Sequence, residues 1–506
     1  MDSLATTLLS TNLPPTDLQR DSVRQLILNY QKDVLDLRSQ YRGRTSPLDV
    51  MARREHALQS IAAWKVVLSP VRRLPFEILG EIFVFCVVPS LRSRSTSADD
   101  PREPPILMSH VCALWRNVAL NTPRLWSDLI FLFSKSLPKR GTVPILEDLI
   151  HPSTPHALRT YIDSGAFSVS DAPDILQQLI AIPEFASRVQ TLHLKMGTRH
   201  LEDLLYDPPP VFLHLETLRL DICIGRRQEF VGRILKFLDS PTLRRLTIRC
   251  TYWEDAFCIS LAPHFPWAQL VNLDLDVELK AAELVRILTQ CVNLRQCGLF
   301  SLPDHKPRRY FEICTLPTLE TLVIKGWEHT YWLFEIFRFP NLTLLDLVLG
   351  KWPTEALQVT PTFTLTHLAL HCTYDDTEDG LALVLRFLAQ SPMIESLQLN
   401  DIHGIGLIEG LTYAPSDNPV LLPRLEILWI SIASWGDAAE TVLRDGGEGL
   451  VQMIESRLHP DLRPSCAPAF AELWEFGFKC WKPKFSVSVQ ERLANLEEDG
   501  VLTWWE

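Results

Sequence analysis

The sequence predicts an α/β protein in which helical segments precede a long parallel sheet. Three observations support this prediction. A short apolar pattern recurs from residue 189 to residue 430, the first seventy residues show the spacing of amphipathic helices, and a proline-initiated apolar stretch lies between them. At 506 residues the chain exceeds the size of one compact core, so several domains or one elongated array is expected.

The composition is that of a soluble globular protein, with 46% hydrophobic and 22% charged residues. The 49 basic and 61 acidic residues give a net charge of −12, which argues against a dedicated nucleic-acid binder. The N-terminus shows no secretory signal, and the longest apolar run, Ile82 to Val88, is too short to span a membrane. We therefore expect neither nucleic acid nor membrane as a partner, and a cytoplasmic or nuclear location.

The 11 cysteines are scattered and include no C-x-x-C pair. This spacing does not match structural zinc sites, so we expect reduced, mostly buried thiols and no metal ion or other cofactor. The sequence also lacks G-x-S-x-G, H-E-x-x-H and Walker A motifs. We therefore predict no catalytic residues and no enzymatic activity.

The first 70 residues predict an N-terminal helical hairpin. From Thr16 to Gln40 and again from Leu48 to Trp64, apolar residues recur at three- and four-residue steps with charged residues between them. The break at residues 42–47 favours two helices that pack on each other. Because each stripe is shorter than three heptads, the hairpin is favoured over dimerisation through a coiled coil. Dimerisation and docking onto the next module are the alternatives.

Residues 71–133 carry a second helical pattern. It opens with Arg72-Arg73-Leu74-Pro75-Phe76-Glu77-Ile78-Leu79, continues with Ser109-His110-Val111-Cys112-Ala113-Leu114-Trp115-Arg116 and ends with Pro123-Arg124-Leu125-Trp126. Pro75 suits the first turn of a helix, where its missing N–H has no partner to lose. The unit has more apolar surface than its size can hide, which is typical of a docking module.

These motifs resemble the F-box, in particular the F-box proteins that are abundant in mushroom-forming fungi. The resemblance implies docking to a Skp-type adaptor and, through it, to a cullin-RING (SCF-type) ubiquitin ligase complex. The docking residues that it implies are Leu74, Pro75, Ile78, Leu79, Ile82, Val111, Cys112 and Trp115. The stretch from Val88 to Pro105 is longer than the link of a compact F-box and predicts a polar surface loop that could crowd the adaptor.

A pattern of the form L-x-x-L-x-L returns ten times, from Val189–Leu194 to Leu425–Ile430, with a mean spacing of about 26 residues. This period predicts a leucine-rich repeat solenoid with a parallel sheet on its concave face and helices outside. The middle leucines of the pattern are expected to be buried, for example Leu218, Leu246, Leu273, Leu322 and Leu368.

Other elements of this array have weaker signals. Predicted helices between the repeats are Glu229–Leu238, Ala281–Cys291 and Gly380–Gln390. Further predictions are strands at Leu125–Phe133, Ala166–Ser170 and Leu473–Phe478, and a helix at His156–Asp163. The predicted domains are 1–70 (hairpin), 71–133 (F-box-like), 134–480 (repeat array) and 481–506 (cap or tail).

The predicted function is that of a substrate receptor: the F-box-like domain docks the adaptor, and the repeats bind a target protein of unknown identity. A protein-interaction scaffold without ubiquitination is the alternative. On the concave face, Lys195, Arg219, Arg245 and Arg249 predict a patch for an acidic or phosphorylated segment of the target. A merely solvated sheet face explains the same charges, so both readings stay open.

Overall fold

The computed structural model describes residues 7–11, 14–40, 48–87, 105–132, 150–165, 182–197, 212–223, 240–251, 265–277, 279–300, 312–326, 332–349, 364–372, 378–402, 406–413, 421–432, 447–458, 471–479 and 485–504. The chain divides into two compact units. The first contains residues 1–165 and 169–189, and the second contains residues 166–168 and 190–506.

The first unit begins with two long helices, α1 (Asp17–Gln40) and α2 (Leu48–Val67). Val23 of α1 packs with Trp64 near the end of α2, and Tyr30 of α1 contacts His56 in its middle, with 6.4 Å between the ring centroids. Because residue numbers rise along α1 and fall along α2 at these contacts, the helices run antiparallel. The predicted helical hairpin is therefore present.

Three shorter helices follow, α3 (Phe76–Val87), α4 (Ile106–Val111) and α5 (Ala113–Leu120). The α3 helix begins directly after Pro75, whose carbonyl oxygen accepts a hydrogen bond from the N–H of Leu79. A 3₁₀ turn at Pro123–Trp126 closes the module, where the indole N–H of Trp126 donates to the carbonyl oxygen of Ala119 at 2.8 Å. The predicted loop lies outside the described residues, except for Pro105.

Two parallel strands, β1 (Asp128–Leu132) and β2 (Leu158–Gly165), and helix α6 (Pro183–Arg188) also belong to the first unit. Strand β1 falls within the predicted strand Leu125–Phe133. The predicted helix His156–Asp163 is wrong, because most of this segment is β2. Leu158, Thr160 and Ile162 are buried at alternate positions, which is the period of a strand. The predicted strand Ala166–Ser170 lies outside the described residues.

The second unit is dominated by parallel strands. They are β3 (Val189–Gly197), β4 (Thr217–Cys223), β5 (Arg245–Thr251), β6 (Asn272–Asp276), β7 (Gln296–Leu299), β8 (Cys314–Thr315), β9 (Thr321–Gly326), β10 (Phe337–Arg338), β11 (Leu344–Leu349), β12 (His367–Cys372), β13 (Ser396–Ile402), β14 (Ile427–Ile432), β15 (Glu475–Lys479) and β16 (Leu502–Trp504). Within this unit the strands pair side by side in the order β3-β4-β5-β6-β7-β9-β11-β12-β13-β14-β15-β16, and β10 and β8 form a separate parallel pair.

The register of the sheet aligns one apolar residue from each strand in a single buried row. No member of this row is more than 4% exposed: Leu192, Leu218, Leu246, Leu273, Cys297, Leu322, Leu345, Leu368, Leu397, Leu428, Phe476 and Leu502. The expected burial of the middle leucines is thereby confirmed, and the strand pairs of the described residues are parallel. Burying a side chain of this size contributes about 1.5–3 kcal/mol, so the row is a main source of stability.

Helices α7 (Ala281–Gln290), α8 (Trp332–Ile336), α9 (Glu378–Ala389), α10 (Gly406–Leu411), α11 (Glu448–Leu458) and α12 (Val487–Glu498) lie between the strands in sequence. The α7 and α9 helices confirm two predictions, and the predicted helix Glu229–Leu238 lies outside the described residues. Strand β15 matches the predicted closing strand, but the tail adds both α12 and a further strand, β16.

Amide side chains of Asn293 and Asn341 donate to the carbonyl oxygens of Ala268 and Pro317 and so link successive turns.

Candidate functional site

The three-helix module of the first unit exposes apolar side chains on α3 and α4, and we call this set of residues the apolar docking face. Its members are 42–73% exposed although all are aliphatic or aromatic: Ile78, Ile82, Phe85, Leu107 and Val111. Three of them belong to the predicted adaptor-binding set. Sequence reasoning missed Phe85 and Leu107, because periodicity identifies apolar positions but not which of them lack a packing partner.

The other predicted docking residues have different environments. Leu79 is only 2% exposed and lies inside the module, so it supports the module rather than offering a contact surface. Trp115 is half-buried, and its ring lies 4.8 Å from that of the buried Phe83. The Sγ of Cys112 accepts a hydrogen bond from the N–H of Trp115 and caps α5. Leu74 is half-buried and Pro75 is exposed.

Opposite the buried row, alternate residues of strands β3 to β16 form a second face, which we call the open face. Its central row follows the register and contains His193, Arg219, Thr247, Asp274, Gly298, Val323, Asp346, Ala369, Gln398, Trp429, Gly477 and Thr503. Rows on either side carry Lys195 and Arg245. Neighbouring strands lie about 4.8 Å apart, so adjacent members of a row can engage one ligand together.

The predicted basic patch is divided by a carboxylate. Asp221 accepts hydrogen bonds from His193 Nε2 at 2.6 Å and from Arg219 Nε at 3.1 Å. Burial alone would raise the pKa of Asp221, but the hydrogen bonds and charges of His193 and Arg219 bring it down to about 2. In the register, Asp221 also lies between Lys195 and Arg249. The four basic residues therefore share a face, but they do not form a continuous positive surface.

Arg249 also lies near an aromatic ring, that of Phe300. Its guanidinium carbon lies 6.0 Å from the centroid of the Phe300 ring, and the Lys325 ammonium lies 5.2 Å from the same centroid. The ring occupies space above Gly298, where a Cβ atom would lie 2.7 Å from Phe300 Cε2 and 2.4 Å from Asp274 Oδ1. The missing side chain at this position therefore lets the ring and the carboxylate lie side by side.

Among the described residues of the open face, Asp346 has the least satisfied carboxylate. Its Oδ1 atom is buried and has no hydrogen-bond partner. Burial raises the pKa of Asp346 above its usual value, and the charges of His371 and Lys325 lower it by less. Beyond Ala369 along the row, Gln398 donates to Asn400, and Asn400 lies 2.6 Å from His371 Nε2. The Trp429 ring then covers Gly477.

Among the described residues, no group of three or more His, Cys, Asp or Glu side chains is arranged to hold a metal ion. None of the helices that the structure describes has both the length and the apolar character needed to cross a membrane. Comparison with models of known protein families found no match, and comparison with curated proteins found none either. The two faces described above are therefore the basis for a functional assignment.

Proposed function

We propose that this protein is an F-box substrate-recognition subunit of an SCF-type ubiquitin ligase, which docks a Skp-type adaptor through the apolar docking face and binds a target protein through the open face. The observation that carries the proposal is the exposure of Ile78, Ile82 and Val111 on a module whose interior is already filled by Leu79 and Phe83. Apolar surface of this kind on a small helical unit is typical of a protein interface.

The proposal also covers the architecture and the domain division. The parallel strands with their buried leucine row support a leucine-rich repeat solenoid with the open face on its concave side, and the proposed domains are residues 1–70, 71–133, 134–480 and 481–506. A long row that mixes charged, polar and apolar residues on parallel strands is suited to binding an extended segment of a partner.

The test for adaptor docking is the double variant Ile78→Glu/Ile82→Glu. Both side chains are more than 40% exposed, so the charges should leave the fold intact and weaken co-purification of a Skp-type adaptor by at least about tenfold. The control is Leu35→Glu, a leucine on α1 outside the docking face that is 63% exposed. Undiminished adaptor binding by a folded double variant contradicts the proposal.

Ubiquitination separates the substrate receptor from the scaffold alternative. A reconstituted ligase containing the full chain should modify a bound target protein, and the Ile78→Glu/Ile82→Glu variant should not support this transfer. A target that binds the chain and the assembled ligase but stays unmodified favours the scaffold.

A further inference from the structure

Helix α2 of the N-terminal hairpin has two apolar stripes, and only the first is packed against α1. The residues of the first stripe are at most 8% exposed: Val50, Ala57, Ile61, Trp64 and Val67. Trp64 packs with Val23 of α1, so this side of the helix faces the hairpin interior. The residues of the second stripe are exposed to solvent: Leu48, Met51, Leu58, Ala62 and Val66.

The second stripe has the spacing of a helix that packs on another helix. With Glu55 included, its positions follow one another at steps of three and four residues, and their centre lies about 150° around the helix from the packed side. Leu48 is 87% exposed, Met51 57% and Leu58 40%. Single exposed apolar residues are common on protein surfaces, but five at this spacing on one helix are typical of an interface.

The stripe is complementary to itself when two copies of α2 run antiparallel. A two-fold axis midway between positions 56 and 57 places Met51 of one copy opposite Ala62 of the other, so a long side chain meets a short one. The same axis brings the exposed Glu55 of one copy within reach of the exposed Arg54 of the other, and the symmetry forms this ion pair twice. In a parallel pair, Glu55 would lie against the like charge of its own copy.

The contacts and length of α2 are compatible with such a dimer. Within one chain, Oε1 of Glu55 accepts a hydrogen bond from the neutral amide of Gln59 at 3.0 Å, which leaves Oε2 for the cation of the other copy. The helix has 20 residues and is therefore about 30 Å long. An interface between two such helices lies near the lower end of the range for specific complexes, about 1,200 Å² in total. We therefore expect a dissociation constant in the micromolar range.

We propose that α2 joins two copies of this chain into a symmetric antiparallel dimer through its exposed stripe. The partner is a second copy because the stripe supplies both members of each contact, Met51 with Ala62 and Glu55 with Arg54. Dimerisation is additional to the hairpin, since the two stripes lie on different sides of α2. It is also independent of the proposed function, because the apolar docking face lies on α3 and α4.

Light scattering after size-exclusion chromatography measures the mass of the full chain in solution. At tens of micromolar, the mass should be twice the 57.8 kDa of one chain. Met51→Glu/Leu58→Glu should weaken self-association by at least about a hundredfold, because it places like charges in the stripes of both copies, and the mass should fall to that of one chain. Circular dichroism checks that this variant keeps its helices, and its adaptor co-purification should be unchanged.

The matched control is Leu28→Glu/Leu35→Glu, which adds the same charge at two positions of α1 that are 56% and 63% exposed. This variant should remain dimeric, because α1 lies outside the proposed interface. A parent chain with the mass of one copy, which leaves the stripe for another protein, overturns the proposal. A dimer that persists in the Met51→Glu/Leu58→Glu variant overturns it as well.

Cysteine cross-linking tests the antiparallel arrangement without adding charge. Leu58 lies close to the proposed axis, so Leu58→Cys should give more covalent dimer with a short bis-maleimide than the parent chain does. The two copies of Leu48 would lie about 25 Å apart along the helices, so Leu48→Cys should give no more than the parent. Equal gains for both variants indicate parallel pairing and overturn the proposal, and so does the absence of a gain for Leu58→Cys.

Discussion

Arg457 on α11 is a buried arginine, and we predict that replacing it lowers the free energy of unfolding. The residue is only 1% exposed, and its guanidinium donates to the carbonyl oxygens of Leu411 at 2.8 Å, Leu421 at 2.9 Å and Leu422 at 3.3 Å. Burial lowers its pKa to about 10, so keeping the charge there is itself unfavourable. The side chain is retained because it joins the end of α10 to the turn before β14.

Replacing Arg457 by methionine keeps the apolar stem and removes all three donors. Each buried carbonyl left without a donor lowers the free energy of unfolding by about 1–3 kcal/mol. Because the variant no longer buries a charge, part of this loss is offset, and the net decrease should be about 3–5 kcal/mol. Arg457→Lys should lose nearly as much, because a single ammonium lacks the planar fork that reaches both segments. Urea denaturation followed by circular dichroism measures the free energy of unfolding.

Arg492 on α12 provides the control for this measurement. It pairs with Glu455 and Glu448, but its side chain is 32% exposed, so Arg492→Met should cost no more than about 1 kcal/mol. If the Arg457 and Arg492 variants lose the same free energy, the three carbonyls have other donors and the reasoning is refuted.

Two further predictions concern the open face. Asp221→Asn should lower the free energy of unfolding by about 2 kcal/mol at neutral pH, because the folded pKa of about 2 lies below the usual 3.8. This stabilisation is complete above about pH 4 and disappears as the pH falls towards 2, so denaturant titrations should show parent and variant converging in acid; a constant difference contradicts the assignment. Gly477→Ala should cost about 1–3 kcal/mol, because its Cβ would lie 2.2 Å from Trp429 Cε3. Unchanged tryptophan fluorescence and stability in this variant would show that the ring does not cover Gly477.

The sequence predicted the strands well because each carries a strong local signal. The pattern at Leu215–Leu220 places two leucines on one side of a strand, and the register aligns them with the leucines of the neighbouring strands. The segment His156–Asp163 was misassigned as a helix because its signal is short. Alternating burial of Leu158, Thr160 and Ile162 became visible only once β2 was paired with β1.

The candidate sites were predicted less completely, because contact residues depend on what the rest of the chain leaves uncovered. Leu79 and Ile78 are neighbours in one apolar stripe, yet Leu79 is buried and Ile78 is 49% exposed. Alternation placed Asp346 and Trp429 on the open face, and alignment of the repeats brings Ala369 beside Asp346. No sequence pattern shows that Asp221 has two donors whereas Asp346 Oδ1 has none, since this depends on side-chain positions.

The two faces of the sheet differ in their side chains: one carries the buried row, and the other, the open face, carries the polar and charged residues. The buried row, which consists mainly of leucines, is a main source of stability, so the chain tolerates an Asp346 Oδ1 atom that lacks a hydrogen-bond donor on the open face. On β3 to β5, His193, Arg219 and Asp221 are hydrogen-bonded to one another, whereas the buried Nε of Arg249 has no hydrogen-bond acceptor. A ligand that satisfied either buried atom would gain a hydrogen bond that the free chain does not make.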